Sequence, residues 1–323
     1  MTPNNYTPVL LAVLILFLIY LILNKDNMID SRVDELNALI AKQIANQKGA
    51  VTVRPTIGTD GQVSWQKETS KTPQNPQISI ETLQKYFLKQ KENRVRLLQT
   101  INDQTARGNQ YFAVFYNGIV PEMYCPDMVR IGNVNDGGKW TCNPWVFPQE
   151  NCSVYSLGLH DEVSFEEEVQ LFTKNGCRLF GYDMIEQTNA TKIRYAAVKG
   201  VASKVEISTM NDQTGSKKTI ERLFEENGDN YAEIFKIDIE GAEKYALEPF
   251  LAKYRVCQIL IELHGKPGEM LQLLVKIAKK GYLLYFFEVN GDSLSASEFS
   301  FIHPDCAARY GAVPLAPYLA GIY

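Results

Sequence analysis

The chain has 323 residues, of which 45% are hydrophobic and 22% are charged, so most of it can bury a core. Its formal net charge of −4 argues against a nucleic-acid-binding protein, which normally presents a basic face. The six cysteines include no CxxC pair, which argues against a structural zinc cluster, and four of them lie between residues 125 and 177, as expected for disulfides in an oxidising compartment or for buried thiols.

An uninterrupted apolar stretch covers residues 9–23, close to the roughly 17–25 residues that a membrane-spanning helix needs. No small-x-small cleavage site follows it, so residues 1–25 are predicted to form a signal anchor that is retained and crosses a membrane once. Lys25 and Arg32 follow the stretch and favour a cytosolic carboxyl-terminal side.

Two N-glycosylation sequons, Asn151-Cys152-Ser153 and Asn189-Ala190-Thr191, favour the opposite orientation. Together with the clustered cysteines, they predict a glycoprotein whose main domain lies in the lumen of the endoplasmic reticulum or Golgi. A secreted form is the alternative.

Behind the anchor, residues 26–48 are predicted to form an amphipathic helical stem, and fewer than three heptads allow only weak self-association through it. Its apolar positions are Ile29, Val33, Leu36, Ile40 and Ile44. Residues 49–77 lose this periodicity and gain polar residues, glycine and proline, which predicts a flexible linker. Ser79 then caps a helix and begins a helical and irregular lead-in, residues 78–150, that is expected to pack on the main domain.

From residue 152 onward the sequence alternates between strand and helix patterns. Predicted strands cover residues 153–158, 178–182, 192–198, 204–209, the start of 234–243, 256–263, 282–289 and 298–302, and predicted helices cover 165–174, 217–226, 243–254 and 268–280. Such alternation predicts an α/β domain at residues 151–323, with a mostly parallel sheet covered by helices on both faces.

Gly158, Asp183 and Asp238 each follow a predicted strand, and ligands of parallel sheets bind beyond the carboxyl ends of the strands. A glycine after the first strand lets the backbone approach a nucleoside cofactor, and a carboxylate after the second accepts hydrogen bonds from ribose hydroxyls. The loop after Gly158 contains Asp161 and Glu162, which oppose a pyrophosphate. These acids favour S-adenosylmethionine, because its sulfonium and amino groups are cations.

The run Lys236-Ile237-Asp238-Ile239-Glu240-Gly241-Ala242-Glu243, followed by Ile261-Glu262-Leu263-His264, resembles FkbM-like S-adenosylmethionine-dependent methyltransferases. Three further segments and Ser164-Phe165-Glu166 resemble more closely the animal membrane-anchored methyltransferase-like proteins of this type. These segments are Arg130-Ile131-Gly132, Asp136-Gly137-Gly138-Lys139-Trp140 and Cys152-Ser153-Val154-Tyr155-Ser156-Leu157-Gly158. The resemblance covers residues 120–310.

The resemblance implies a seven-stranded Rossmann-like sheet with S-adenosylmethionine over its first two strands. The cofactor contacts that it implies come from Ser156, Gly158, His160, Asp161, Asp183 and Asp238. It also places Asp238 beside the transferred methyl group, with Glu240 and His264 close to a hydroxylated acceptor. The acceptor class, whether glycan, lipid or protein, is left open.

For catalysis, the hypothesis is that His264 or Asp238 removes a proton from the acceptor hydroxyl, whose oxygen then attacks the sulfonium methyl in line. A divalent metal bound by Asp238 and Glu240 would lack an evident third ligand, so no metal is assigned. Asp136-Gly137-Gly138 is predicted to be a tight turn.

Two alternatives stay open. A short anchor, a polar stem and an α/β domain are also typical of lumenal glycosyltransferases, in which Asp238 and Glu240 would form a metal-binding motif. The second alternative is an inactive methyltransferase fold that serves as an interaction module, since the loop at residues 159–162 lacks the second glycine of ordinary methyltransferases.

Overall fold

The computed structural model describes residues 52–57, 63–68, 78–101 and 108–323 of the protein. The predicted anchor at residues 1–25 and the predicted stem at residues 26–48 lie outside these residues. Within the described part, no helix is long and apolar enough to span a membrane. The chain divides into two units, Met1–Gln77 and Ile78–Tyr323.

The first unit contains an antiparallel hairpin of β1 (Thr52–Ile57) and β2 (Val63–Glu68), in which Thr52 pairs with Glu68 and Ile57 with Val63. The predicted flexible linker at residues 49–77 therefore contains two paired strands that the sequence analysis did not predict. The sequence signal was present, since both segments contain β-branched residues and the sequence between them contains Gly58 and Gly61, which are typical of turns.

The second unit begins with two helices, α1 (Ile80–Gln99) and α2 (Asn109–Gly118). The hydroxyl of Ser79 accepts a hydrogen bond from the Thr82 amide at 3.2 Å, which confirms the predicted start of α1. Arg94 donates to the carbonyl of Gly118 at 2.6 Å and so joins the two helices.

The remaining elements follow in chain order. The strands are β3 (Met123–Tyr124), β4 (Val129–Ile131), β5 (Lys139–Thr141), β6 (Cys152–Leu157), β7 (Cys177–Asp183), β8 (Gly200–Lys204), β9 (Glu206–Ile207), β10 (Lys217–Lys218), β11 (Tyr231–Ile237), β12 (Arg255–His264), β13 (Leu283–Val289), β14 (Ala296–Ile302) and β15 (Val313–Pro314). The helices are α3 (Ser164–Thr173), α4 (Asn189–Ala197), α5 (Ile220–Asn227), α6 (Glu243–Lys253), α7 (Pro267–Lys279) and α8 (Pro304–Tyr310).

Seven strands form the central sheet in the order β13-β14-β12-β11-β6-β7-β8. Six of the seven strands point in the same direction, and β14 alone points in the opposite direction. The predicted seven-stranded, mostly parallel sheet with flanking helices is therefore confirmed. The chain steps outward from β6 through β7 to β8 and then returns to β11 on the other side of β6. The gap between β6 and β11 is therefore the topological switch point, where open α/β sheets bind ligands.

Alternate residues of each strand fill the core on the two faces of the sheet. On one face, Tyr155 stacks on Phe224 with ring centroids 4.2 Å apart, and Phe224 contacts Phe250 at 4.6 Å. On the other face, Val154 belongs to a second buried cluster together with Phe165 of α3. Burial on both faces explains why these strands are continuous apolar runs rather than alternating ones.

Residues 192–198 do not form the predicted strand, since residues 192–197 lie in α4 and Val198 follows as its C-cap. Ile193 is 70% exposed, whereas the buried residues are Thr191 and Tyr195, one helical turn apart. The prediction thus gave this segment the two-residue period of a strand, whereas its burial has the period of a helix. The Thr188 hydroxyl caps this helix by accepting from the Thr191 amide. The strand that follows it is β8 (Gly200–Lys204), which begins after the end of the strand predicted at residues 192–198.

All six cysteines form disulfides: Cys125–Cys142, Cys152–Cys177 and Cys257–Cys306. Cys152 and Cys177 are directly opposite each other in the pairing of β6 with β7. This bond therefore joins the starts of β6 and β7.

We expect the double variant Cys152→Ala/Cys177→Ala to lower the free energy of unfolding by about 3 kcal/mol, because the bond closes a loop with a sequence separation of 25. Urea unfolding of the full-length protein without reductant measures this loss. The matched double variant Cys257→Ala/Cys306→Ala, which opens a longer loop, should lose a similar or larger amount. A wild-type protein whose stability does not change on reduction would contradict the prediction.

Candidate functional site

A cavity of about 550 Å³ lies beyond the carboxyl ends of β6, β7, β8 and β11. It therefore occupies the switch point of the sheet. Its lining residues are Asp136, Gly158, His160, Tyr182, Asp183, Met184, Ile185, Val205, Glu206, Ile207, Asp238, Ile239, Glu240 and Ala242.

The floor of this cavity is a close backbone contact between β6 and β11. Gly158 has φ +83°, and a Cβ atom at this position would lie 1.7 Å from the carbonyl oxygen of Asp238. The Asp238 amide donates to the Leu157 carbonyl at 2.8 Å, and the Gly158 amide donates to the Tyr182 carbonyl at 2.8 Å. Only glycine satisfies both the conformation and the space.

Asp183 fixes the loop that follows Gly158. Its Oδ2 accepts hydrogen bonds from the amides of Leu159 and His160, both at 2.8 Å, and its Oδ1 accepts from the Ile185 amide at 2.7 Å. Oδ1 retains the capacity for one further hydrogen bond. Asp183 lines the cavity, and much of its hydrogen-bonding capacity holds the loop.

Two of the predicted cofactor residues do not line the cavity. The hydroxyl of Ser156 is buried and donates to Glu166 at 2.5 Å. The Asp161 carboxylate accepts from the Thr188 amide at 2.8 Å and the Thr191 hydroxyl at 2.7 Å, and these bonds lower its pKa. The Ser156 hydroxyl therefore joins β6 to α3, and Oδ1 of Asp161 joins its loop to the start of α4.

A second cavity, of about 400 Å³, adjoins the first at Asp136, which lines both. Its remaining lining residues are Arg130, Val134, Asn135, Glu262, Glu288, Val289, Asn290, Gly291, Asp292 and Glu298. Five of the residues in this cavity are acidic and one is basic, so it favours a cationic or hydroxyl-rich ligand.

Three of these acids form a row across adjacent strands, which we name the glutamate row. Glu298 of β14 pairs with Glu262 of β12 on one side and with Glu288 of β13 on the other. Like charges placed opposite each other are destabilising. The β4–β5 hairpin supplies the compensation, since Arg130 bonds Glu288 at 3.1 Å and the buried Lys139 bonds Glu298.

Between the two cavities stands the His264 cluster, which comprises Asp238, Glu240, Glu262 and His264. The Nε2 atom of His264 lies 3.8 Å from Asp238 Oδ1, 3.6 Å from Glu240 Oε2 and 3.7 Å from Glu262 Oε1. None of these distances is a hydrogen bond. The structure thus brings the three predicted catalytic residues, Asp238, Glu240 and His264, to one point.

Residues 75–303 match a family model described as a methyltransferase domain. The chain belongs to this methyltransferase family. No curated protein matches it. A crystal structure from Plasmodium falciparum, described as that of a ribosomal RNA methyltransferase, is 12% identical to this chain with a TM-score of 0.33, and the match covers 50% of this chain and 90% of that one.

In this methyltransferase, a buried carboxylate positions the ring of His264. Glu243 is fully buried, and its Oε1 accepts from the His264 amide at 3.1 Å and lies 3.4 Å from the ring Nδ1. Its Oε2 accepts from the Gly241 amide at 2.8 Å, which fixes the carboxylate. Nδ1 is buried and has no aligned hydrogen-bond partner among the described residues.

Burial and neighbouring charges shift the pKa values of His264, Glu262 and Lys139. Burial lowers the pKa of His264, but Glu243, Asp238 and Glu262 together raise this pKa to about 9. Burial, followed by the charges of Asp238 and Glu298, raises the pKa of Glu262. Burial also lowers the pKa of Lys139, but the neighbouring carboxylates raise it above the ordinary value. The carboxylates around His264 therefore favour its protonated form.

The site contains residues that the sequence did not assign. Asp136 was predicted only as part of a turn, whereas it lines both cavities. Glu262 and Glu243 flank the predicted His264 and Asp238 in the sequence, and this proximity was a usable signal. Lys139 gave no signal, because only the folded hairpin brings it to the glutamate row.

We expect the free energy of unfolding to fall as pH rises from about 6.5 to about 9. The sign follows from the raised pKa of folded His264, whose stabilising contribution is complete below its unfolded pKa of 6.5 and is lost as pH passes about 9. Urea unfolding at several pH values in EDTA measures the slope, and His264→Asn should reduce it.

The control is His303→Asn, because burial lowers the pKa of His303 and its contribution changes at more acidic pH. This variant should keep the wild-type slope above pH 6.5. An equal slope in wild type and His264→Asn would contradict the assignment.

Proposed function

We propose that this methyltransferase uses S-adenosylmethionine, is of the FkbM-like type and methylates a hydroxyl group of a glycan, lipid or protein. The observation that carries the proposal is the contact of Gly158 with Asp238 at the switch point, which opens a cavity between two strand ends. A nucleoside cofactor requires such a close backbone approach beside a carboxylate.

The lining of the first cavity suits this cofactor. Ile185, Val205 and Ile207 provide apolar surface for an adenine ring, and Oδ1 of Asp183 has one free position for a ribose hydroxyl. No Lys or Arg is among the described residues that line the cavity, so it offers nothing to neutralise a diphosphate. Asp238 and Glu240 would instead attract a sulfonium and an amino group.

The second cavity supports an acceptor rich in hydroxyl groups, since its carboxylates accept hydrogen bonds. Asp238 lines the first cavity and belongs to the same cluster as Glu262, which lines the second, so its carboxylate would be available to an acceptor hydroxyl bound between them. The sequence left the proton acceptor open between Asp238 and His264. Because the surrounding carboxylates favour the protonated form of His264, we assign this role to Asp238 and assign charge balance to His264.

The two alternatives from the sequence make different demands on the site. A glycosyltransferase requires a diphosphate-binding surface next to Asp238 and Glu240, and because the described cavity has no basic side chain for it, that surface would need a metal ion bound by these two acids. An inactive interaction module would keep the cofactor cavity without turnover. A substitution at Gly158 tests whether the first cavity binds the cofactor.

We expect the full-length protein to bind S-adenosylhomocysteine in calorimetry and Gly158→Ala to weaken this binding by at least about tenfold, which is about 1.4 kcal/mol. The added methyl group would displace the Asp238 carbonyl from the cavity floor. Asp183→Ala should also weaken binding, because it releases the loop at Leu159 and His160.

The matched control is Gly321→Ala, since Gly321 has open space around its added Cβ and an ordinary φ. Manganese-dependent binding of a UDP-sugar without binding of S-adenosylhomocysteine would overturn the proposal in favour of a glycosyltransferase. Cofactor binding without transfer to any hydroxylated acceptor would favour the inactive module.

We further propose that the main domain lies in the endoplasmic reticulum or Golgi lumen, attached to the membrane by residues 9–23. Three disulfides that use all six cysteines support an oxidising compartment. Asn151 and Asn189 are both exposed, so each sequon presents its acceptor at the surface.

We expect glycosidase treatment of the cellular protein to increase its mobility in gel electrophoresis. The double variant Asn151→Gln/Asn189→Gln should lose this shift, because no glycan could be attached at either position. A chain that shows no shift in wild type would contradict the lumenal assignment.

A further inference from the structure

The His264 cluster has the donor set of a metal site, and we propose that it binds one divalent metal ion of the Mn²⁺ class. The ligands are Asp238, Glu240 and His264. Glu262 lies 3.7 Å from Nε2 of His264 and forms an adjoining acidic group with Asp136 and Asp238. The sequence offered no third ligand for Asp238 and Glu240. The structure supplies it by placing the end of β12 beside the loop after β11.

The spacing of the donor atoms fits a shared ion better than direct contacts. One ligand atom from each of Asp238, Glu240 and His264 lies within 4.8 Å of the others. Around Nε2 of His264, the carboxylate oxygens stand at 3.6 to 3.8 Å. Two ligands that each lie about 2.1 Å from one ion are separated by about 3 to 4 Å, whereas a direct hydrogen bond would bring them below about 3.2 Å.

Glu262 provides independent support, because it is a buried carboxylate without a hydrogen bond. Its residue is 9% exposed, and its two ion pairs, with Lys139 and His264, are both longer than a hydrogen bond. Its nearest cationic groups are Nε2 of His264 at 3.7 Å and Nζ of Lys139 at 3.9 Å. The other members of the glutamate row, Glu288 and Glu298, each bond a cation of the β4–β5 hairpin. Glu262 is thus the member of the glutamate row that lies next to His264.

Glu243 provides the support that metal-binding histidines usually have. A ligating imidazole normally directs its other ring nitrogen at a carboxylate, which fixes the ring and its tautomer. Here the fully buried Glu243 lies 3.4 Å from Nδ1, on the side of the ring away from the carboxylates of the cluster. Nε2 is thereby directed at Asp238, Glu240 and Glu262.

The chemistry of the donors selects the ion class. Carboxylate oxygens suit hard divalent cations, and an imidazole nitrogen favours a first-row transition ion over Mg²⁺ or Ca²⁺. Nε2 cannot hold a proton and an ion together, so the metal replaces the proton of His264. Such an ion would neutralise the acids between the two cavities. This inference concerns ion binding and does not depend on methyl transfer.

The test titrates Mn²⁺ into full-length protein that has been stripped with EDTA, and follows free Mn²⁺ by electron paramagnetic resonance. The expected result is one saturable Mn²⁺ per chain and a higher melting temperature with Mn²⁺. Glu240→Gln and His264→Asn should each weaken Mn²⁺ binding by about tenfold or more. Glu240 is 81% exposed, so its substitution does not endanger folding.

The matched control is Asp292→Asn, which removes one exposed carboxylate of the second cavity outside the cluster. It should leave Mn²⁺ affinity within about twofold, because an exposed charge outside the coordination sphere is screened. Absence of saturable binding, or equal weakening by Asp292→Asn and Glu240→Gln, would overturn the proposal. Calorimetry with S-adenosylhomocysteine in EDTA, run on the same samples, tests the cofactor hypothesis separately.

Discussion

The site depends on one backbone contact, that between Gly158 and Asp238. The two residues follow β6 and β11, the adjacent parallel strands at which the chain reverses its direction across the sheet. Any side chain at Gly158 would collide with the carbonyl of Asp238, so this single position fixes the distance between the two strand ends. The first cavity and the placement of the Asp238 carboxylate both follow from that distance.

A high density of carboxylates is the second constraint on the site. Removing several acids from water in one place is costly unless cations and hydrogen bonds compensate for it. Arg130 and Lys139 from the β4–β5 hairpin compensate two members of the glutamate row, and the imidazolium of His264 compensates the cluster around it. The hairpin thus has an electrostatic role as well as a packing role. It is the part of the lead-in that belongs to the site.

Much of the sheet and part of the site could be predicted because both depend on local signals. Buried parallel strands are continuous apolar runs, and polar residues at their ends identify the edge where a ligand binds, as for Gly158, Asp183, Asp238 and His264. The period of residues 192–198 was misjudged, since the burial of Tyr195 within a helix depends on tertiary packing. Lys139 and Asp136 could not be assigned, because a hairpin distant in sequence brings them to the strand ends.

The loop after Gly158 shows how a carboxylate can replace a missing glycine. His160 and Asp161 have φ values of +46° and +59°, a region that costs an ordinary residue about 1 kcal/mol or more. Asp183 accepts the amide of His160, and Gln187 accepts the amide of Asp161 at 2.8 Å, so hydrogen bonds hold both residues in this conformation. The second glycine of ordinary methyltransferases would relieve the same strain through its conformational freedom. In this loop, hydrogen bonds from His160 and Asp161 to side chains of neighbouring segments take the place of that glycine.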